Sequence, residues 1–351
     1  TIEKVNLRNG RVANLDNTVS PADGGAIYNS GTLTLNYCRF TANYALAGGS
    51  FSGGAGGAIK HMANNTLNIN SCTFDNNQAQ SGGALANEFN NASGLFIITN
   101  STFASNKQLS TVATVGGGAI WILNGTNILT NCTFYANELS TGTGAGSSIL
   151  VRQGSVRIKN TIFVNGLQGG AALGSWGSEI DYAGGTATDD GNNIFGKQYS
   201  ALTSPQTSTF FDSYLSSSAT DGIFTKYNSS PAQNCNLTIS STLAVTASTN
   251  GTYTLATSGV SQNTGSTVAN NGVSIPTVDQ RGIARVNQTD IGSYESNVTA
   301  PVLTVSSTAL NAFSTNLGTP SAEQSITVSG TDLTGNITVS RSEERRVGKE
   351  C

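Results

Sequence analysis

Four carboxylates lie close together in a chain that is otherwise poor in charge. They are Glu179, Asp181, Asp189 and Asp190, in a glycine-rich region, whereas only 11% of all residues are charged. Grouped carboxylates can bind calcium or act as the paired acids of glycoside hydrolysis. A lyase would also need a base, and Lys197 is the nearest candidate in the sequence. A solvated acidic loop is the alternative interpretation, and we prefer it.

A short basic tripeptide precedes these acids. Arg157-Ile158-Lys159 resembles the RIK tripeptide of polygalacturonases, and Asp189-Asp190 resembles their acid pair. In that family the acids come before the tripeptide and a GHG motif is present, whereas here the order is reversed and the motif is missing. We therefore assign no catalytic residue and expect no cofactor, with calcium as the one ion that the acids could take.

Two short motifs alternate along the first half of the chain and indicate the framework that must position any site. Gly-Gly-Ala-Ile or Gly-Gly-Ala-Leu begins at Gly24, Gly56, Gly82 and Gly117. A Phe-x-x-Asn motif follows each copy, and its phenylalanines lie 34, 29 and 31 residues apart, with a looser copy 29 residues further on. A motif that returns at a nearly fixed period is typical of a solenoid. The phenylalanines are Phe40, Phe74, Phe103, Phe134 and Phe163, and the asparagines are Asn43, Asn77, Asn106 and Asn137.

The segments between the motifs alternate apolar and polar residues. Thr32-Leu33-Thr34-Leu35, Thr66-Leu67-Asn68-Ile69 and Ser155-Val156-Arg157-Ile158 each carry an apolar side chain at every second position. That period predicts strands with one buried face, and the Gly-Gly pairs suit tight corners. The sequence therefore predicts an all-β parallel β-helix whose coils lie about 4.8 Å apart.

Stacked coils place equivalent residues in columns, which gives the cysteines an interpretation. The position two residues before each motif phenylalanine carries small, weakly polar side chains that suit a narrow interior. We prefer a column of buried small residues there, with a Cys38–Cys72 disulfide and a metal or catalytic role as alternatives. The same stacking predicts a ring stack for the phenylalanines and an amide ladder for the asparagines. The cysteine column is Cys38, Cys72, Ser101, Cys132 and Thr161.

The repeats and a later segment together resemble a known group of proteins. The paired motifs from Gly24 to Asn137 resemble polymorphic outer-membrane protein repeats. Asp279-Gln280-Arg281-Gly282, Arg285 and Asp290 to Glu295 resemble the signature of the choice-of-anchor Q domain, as does Gly191 to Gly196. The resemblance implies a right-handed parallel β-helix on a secreted or surface-attached bacterial protein, and it implies no known reaction.

Charges concentrate in this second segment, residues 279–295, which we name the signature segment. We expect it to be a salt-bridged cap over the open end of the β-helix, and a carboxylate site is the alternative. Its charged residues are Asp279, Arg281, Arg285, Asp290 and Glu295.

The sequence divides into four parts. We expect the β-helix in residues 1–200, its end and the cap in 201–299, and the start of an immunoglobulin-like β-sandwich in 300–340. Residues 341–351 resemble a translated sequencing adapter, and we assign them no fold or function. We interpret Thr1 as an internal start of the protein, so that an export signal would lie upstream.

Charge and hydropathy narrow the functional classes. A net charge of −3 provides no basic field for nucleic acid, and no apolar run has the length of a membrane-spanning helix. We expect a secreted or cell-surface bacterial scaffold that displays loops such as 44–55 and 107–116 for adhesion or for a glycan or cell-surface ligand. A polysaccharide lyase or glycoside hydrolase is the alternative. The oligomeric state is not predicted.

Overall fold

The computed structural model describes residues 1–14, 22–47, 53–62, 64–89, 91–111, 115–140, 146–172, 179–182, 184–195, 237–240, 243, 254–259, 261–286, 288–296, 302–306 and 324–331. All regular elements in these ranges are strands. No helix in these ranges is long and apolar enough to cross a membrane. Contacts divide the chain into two units, Thr1–Asn297 and Val298–Cys351.

The first unit is a parallel β-solenoid, which confirms the predicted fold class. Successive coils contribute strands to four sheets that we name A to D. Sheet A contains β1 (Ile2–Glu3), β5 (Leu33–Asn36), β9 (Leu67–Asn70), β13 (Leu95–Thr99), β17 (Thr126–Thr130), β21 (Ser155–Lys159) and β26 (Thr186–Asp189). Sheet B contains β2 (Asn6–Arg8), β6 (Arg39–Thr41), β10 (Thr73–Asp75), β14 (Thr102–Ala104), β18 (Thr133–Tyr135), β22 (Ile162–Val164) and β27 (Ile194–Phe195).

The other two sheets complete the coils. Sheet C contains β3 (Arg11–Asn14), β7 (Tyr44–Ala47), β11 (Gln78–Ala79), β15 (Lys107–Gln108), β19 (Glu138–Leu139), β23 (Leu167–Gln168) and the antiparallel β24 (Ala171–Ala172). Sheet D contains β4 (Ile27–Asn29), β8 (Ile59–His61), β12 (Leu85–Asn87), β16 (Ile120–Ile122), β20 (Ile149–Val151) and β25 (Ile180–Tyr182). A short antiparallel pair, β28 (Leu237–Ile239) and β29 (Thr257–Gly259), also belongs to this unit.

A stack of phenylalanine rings runs through the interior of the solenoid. The motif phenylalanines occupy the middle of successive sheet B strands in register, and all are fully buried. Neighbouring ring centroids lie 4.7 to 4.8 Å apart, with interplanar angles of 3° to 14°. One ring in each of five successive coils therefore fills the core along sheet B. The stack comprises Phe40, Phe74, Phe103, Phe134 and Phe163.

The motif asparagines form a buried amide ladder at the corner between sheets B and C. Each follows a residue with positive φ, such as Ala42 or Asn76. Each ladder oxygen accepts the backbone N–H of the preceding coil at 2.9 to 3.1 Å, and each amide donates to a carbonyl at 2.9 to 3.0 Å. The ladder satisfies backbone groups that a sharp corner would leave unpaired. Its members are Asn43, Asn77, Asn106 and Asn137.

The cysteine column performs the same task at the corner between sheets A and B. Cys72 Sγ accepts the N–H of Cys38 at 3.4 Å, and Ser101 Oγ accepts the N–H of Cys72 at 3.1 Å. Each member also donates to the carbonyl two residues earlier. Cys38, Cys72 and Cys132 are buried free thiols, so no disulfide joins them, and Cys235 lies outside the described residues.

Glycine is required at the corner that leads into sheet D. Gly82 has a φ of +59°, and a Cβ there would approach the Leu85 carbonyl oxygen to 2.1 Å. A Cβ on Gly83 would lie 2.1 Å from the carbonyl oxygen of Gly118 in the next coil. The Gly-Gly motif therefore marks a corner where the backbone packs too closely for a side chain, both within a coil and between coils.

The second unit contains a two-stranded antiparallel sheet in its described part. It pairs β30 (Val302–Val305) with β31 (Val328–Thr331). Residues 332–340 of the predicted β-sandwich start and the adapter-like residues 341–351 lie outside the described residues.

Candidate functional site

The acidic residue Glu179 lies inside the solenoid and has a structural role. Its side chain is fully buried, and Oε2 accepts hydrogen bonds from the hydroxyls of Ser147 and Ser148, both at 2.8 Å. Oε1 accepts the backbone N–H of Gly166, also at 2.8 Å. A carboxylate enclosed in this way cannot reach a substrate.

Gly166 explains why a carboxylate is needed there. It follows the positive-φ residue Asn165, as the ladder asparagines follow theirs, but it has no side chain to continue the amide ladder. A Cβ on Gly166 would lie 2.8 Å from both oxygens of Glu179. In the ladder, the N–H at this position is accepted by the amide of the following coil, as Asn43 accepts the N–H of Gly10 at 2.9 Å. Glu179 takes over that acceptor role for the N–H of Gly166.

Asp190 forms an ion pair on the sheet A side. Arg157 Nε donates to Asp190 Oδ2 at 2.8 Å and its Nη2 donates to Oδ1 at 2.5 Å, while Lys159 Nζ donates to the Asp190 carbonyl at 2.7 Å. The hydrogen bond to Asp190 raises the pKa of Arg157. The structure thus joins the tripeptide to the acid, but as a bidentate ion pair in which both carboxylate oxygens are engaged.

The four acids do not form a single site. Asp181 lies in β25 of sheet D, whereas Asp189 lies in β26 of sheet A and accepts the N–H of Gly191 at 2.8 Å. Within the described ranges, no group of three or more His, Cys, Asp or Glu side chains is placed to hold a metal ion. Lys197 lies outside these ranges. The hypothesis of an acidic calcium or catalytic cluster therefore receives no geometric support. The solvated acidic loop that we preferred is also not what the structure shows, because Glu179 and Asp181 are buried.

The signature segment folds around two buried arginines. Arg281 pairs with Asp279 at 2.6 Å and lies over the Tyr294 ring, with 3.8 Å between the guanidinium carbon and the ring centroid. Arg285 pairs with Glu295 at 3.1 Å. Burial lowers the pKa of Arg285 and raises that of Glu295.

Two aspartates of the segment, Asp290 and Asp279, hold its turns through hydrogen bonds. Asp290 is fully buried, and its oxygens accept the N–H groups of Asn263 at 2.6 Å and Ser296 at 2.7 Å. Asp279 likewise accepts the N–H groups of Ile283 and Glu295, both at 3.0 Å. Because all these carboxylates bind internal donors, they serve the fold of the segment.

The signature segment lies along the side of the solenoid, which differs from the cap over its end that we predicted. Gln280 Nε2 donates to Thr73 Oγ1 at 2.8 Å, and Ser293 N–H donates to Thr133 Oγ1 at 3.0 Å. Further along, Ile291 packs in one cluster with Ile162. These partners belong to β10, β18 and β22 of sheet B, so the segment spans several coils. The outer face of sheet B presents columns of hydroxyl groups and of apolar side chains. The signature segment forms hydrogen bonds with the hydroxyl groups and covers the apolar side chains.

A surface cleft of about 350 Å³ lies at the corner between sheets B and C. Asn9, Ala42 and Asn76 have positive φ and turn the chain outward at this corner. The guanidinium carbon of Arg11 lies 4.7 Å from the centroid of the Tyr44 ring. The lining residues, which we name the corner cleft, are Asn9, Gly10, Arg11, Ala42, Asn43, Tyr44, Asn76 and Gln78.

Coil register positions the side chains of the corner cleft. Arg11, Tyr44 and Gln78 begin successive strands of sheet C and are paired in register. They therefore follow one another at the spacing of adjacent strands, about 4.8 Å. An exposed cation, an aromatic ring and an amide in a row can bind a polar ligand that carries both hydroxyl groups and an apolar face.

The sequence pointed to the corner cleft only through Tyr44, the first residue of the predicted display loop 44–55, which the structure places in strand β7. The strand residues of the cleft face outward, where the repeat leaves the side-chain type open, so no motif marks them. Tyr44 follows the motif residue Asn43 directly, and that position, one residue after each Phe-x-x-Asn, is the signal that could have led to the cleft.

A buried lysine forms a second arrangement that the sequence did not reveal. Lys60 in β8 lies 3.4 Å from Asp23 Oδ2 and contacts Glu88 Oε1, and its side chain is 2% exposed. Burial raises the pKa of Glu88, against the lowering effect of Lys60. The three residues come from successive coils, so only the stacked structure brings them together.

No protein-family model, no curated protein and no solved structure matches the chain. The functional inference therefore starts from the solenoid and from the geometry of its described residues.

Proposed function

We propose that this chain is part of a secreted or cell-surface bacterial scaffold whose solenoid displays a glycan-binding site. The repeats and the signature segment support membership of the choice-of-anchor Q group with polymorphic outer-membrane protein repeats. A solenoid held by the phenylalanine stack and the amide ladder provides a rigid support for a surface ligand site.

The corner cleft is the observation that carries this proposal. Asn9, Asn76 and Gln78 present amides that can pair with sugar hydroxyls, and the Tyr44 ring can pack against the apolar face of a sugar. Arg11 adds an exposed guanidinium that can pair with a carboxylate. These groups favour a glycan with acidic sugars.

The lining of the corner cleft favours glycan binding without hydrolysis. Its described lining residues include no carboxylate, whereas glycoside hydrolysis ordinarily requires two. The alternative function is a polysaccharide-active enzyme. Incubation of the full chain with pectins and other uronans, with and without calcium, tests it through the absorbance of unsaturated products. Their appearance would establish a lyase.

A glycan array tests the proposal itself. We expect the full chain to bind glycans that contain uronic or other acidic sugars, and Tyr44→Ala to abolish that binding. Tyr28→Ala is the matched control, because Tyr28 is also a surface tyrosine, 55% exposed, but lies on β4 of sheet D. Equal binding by the wild type and Tyr44→Ala would show that the corner cleft is not the site.

A further inference from the structure

A buried amine and two carboxylates lie together on the outer side of sheet D. They belong to Lys60, Asp23 and Glu88. Asp23 directly precedes the Gly24-Gly25 corner, Lys60 lies in β8 of the next coil, and Glu88 follows β12 of the coil after that. Lys60 Nζ lies 3.4 Å from Asp23 Oδ2 and is in direct contact with Glu88 Oε1. One amine therefore contacts two carboxylates.

Apart from the two carboxylates, the amine lies beside apolar side chains and is almost fully buried. The side chains of Lys60 and Asp23 are each 2% exposed, and that of Glu88 is 14% exposed. Ala86 is the register partner of Lys60 on sheet D, and Trp121 follows on the next strand, both in a buried apolar cluster with Ala55. Charges in such a place are held at a considerable desolvation penalty.

We propose that Lys60 and Asp23 join in an intramolecular amide bond, with Glu88 as the residue that carries the proton. This inference concerns a covalent modification of the solenoid and does not depend on the corner cleft.

The reaction is a condensation that needs no other reactant. Lys60 Nζ gives one proton to Glu88 and attacks Cγ of Asp23 as a neutral amine, forming the C–N bond. The C–Oδ2 bond then breaks, and Oδ2 leaves as water with a second proton from Nζ and the proton returned by Glu88. An ammonium and a carboxylate become an amide and water, and Glu88 ends as it began.

Each participant is placed for its role. The N–H of Ala55 donates to Asp23 Oδ1 at 2.8 Å, so a donor already faces the oxygen that gains charge when Cγ is attacked. Burial raises the pKa of Glu88, which makes it a stronger base than an exposed glutamate. Fixed proximity replaces the encounter of two separate reactants, and a neutral amide is less costly to bury than two charges.

The bond would have a mechanical consequence for the solenoid. It would join the corner before β4 to β8 in the next coil, between residues that lie 37 positions apart in the sequence. The first described coil could then no longer separate from the second while the chain is pulled, which suits a rod that carries load at a surface.

Intact-mass measurement and peptide mapping of the full chain test the proposal. We expect a mass lower by one water than the sequence requires, and a branched peptide that links Lys60 to Asp23. Lys107, which pairs with Glu138 at 2.6 Å but is 36% exposed, is the internal control and should stay unlinked. A full, unmodified mass in the folded wild type would overturn the proposal.

Three variants identify the reacting groups. Lys60→Arg and Glu88→Gln should show the unreduced mass, and Asp23→Asn should lose ammonia instead of water, because its amide nitrogen becomes the leaving group. Loss of water that persists in Lys60→Arg would indicate a cyclic imide at Asp23-Gly24, and a branch between Lys60 and Glu88 would indicate the wrong acid. Either result would overturn the assignment. Circular dichroism confirms that each variant folds, and the wild-type peptide map decides the question if one does not.

Discussion

Asn106 Oδ1 accepts two hydrogen bonds from Asn77, one from its backbone N–H at 3.1 Å and one from its side-chain amide at 2.9 Å. Asn106 in turn donates from its own amide to the Phe74 carbonyl at 2.9 Å and to Asn137 Oδ1 at 3.0 Å. One buried amide thus connects three coils through both its oxygen and its nitrogen. The amide ladder is therefore a continuous hydrogen-bond chain along the solenoid.

Replacing Asn106 by Leu should destabilise the solenoid strongly. Leu has a similar size but can neither accept from Asn77 nor donate to Phe74, and each buried group left unpaired costs about 1–3 kcal/mol. Denaturant unfolding should show the loss as a lower free energy of unfolding. Asn68→Leu is the control, because Asn68 lies in β9 but is partly exposed. A similar loss in both variants would contradict the special role of the ladder.

Cys132 should make stability depend on pH in the alkaline range. Burial raises its pKa from 9.0 to about 12, so the folded protein keeps the thiol protonated where the unfolded chain ionises. Its contribution is fully present below pH 9 and is lost as the pH rises towards 12. At about pH 10.5 the loss amounts to ~2 kcal/mol relative to about pH 8.

The variant Cys132→Ser isolates this contribution. Ser101 already occupies the cysteine column in another coil, so a serine hydroxyl can make the same two kinds of hydrogen bond. We expect Cys132→Ser to fold and to lose less stability than the wild type between about pH 8 and about pH 10.5. Identical alkaline losses in the two proteins would show that the thiol is not held protonated.

Glu295→Gln should loosen the signature segment from the solenoid. The change leaves Arg285 buried without the carboxylate of its ion pair, and breaking a buried ion pair costs about 3–5 kcal/mol. The control is Lys107→Gln, which breaks a half-exposed pair and should cost about 1 kcal/mol or less. Urea unfolding of both variants gives the comparison. An effect of Glu295→Gln no larger than that of the control would show that the pair does not hold the segment.

The interior of the solenoid was predictable because stacking repeats the same physical demand in every coil. A narrow corner needs Gly at positions such as Gly82, a B-to-C corner needs an amide such as Asn77, and a sheet B strand needs one large ring such as Phe74. Each demand restricts the residue type, so the period is visible in the sequence.

The charged groups and the position of the signature segment were not predictable in the same way. Lys60 and Asp23 meet through the stacking of coils at positions where neighbouring coils carry other residue types. Glu179 was predicted as a site candidate because it is charged, and only its hydrogen bonds with Ser147, Ser148 and the N–H of Gly166 reveal its structural task. The position of the signature segment depends on distant contacts such as that of Gln280 with Thr73, and these contacts leave no periodic signal.

Affinity electrophoresis with an acidic polysaccharide tests the central claim most directly. In native gels that contain polygalacturonate, we expect the wild type and Tyr28→Ala to migrate more slowly than in plain gels. Tyr44→Ala and Arg11→Ala should migrate equally in both gels, because the corner cleft has lost its ring or its cation. Unchanged migration of the wild type in the polymer gel, or retardation of all four proteins alike, would contradict the proposal that the corner cleft binds glycans.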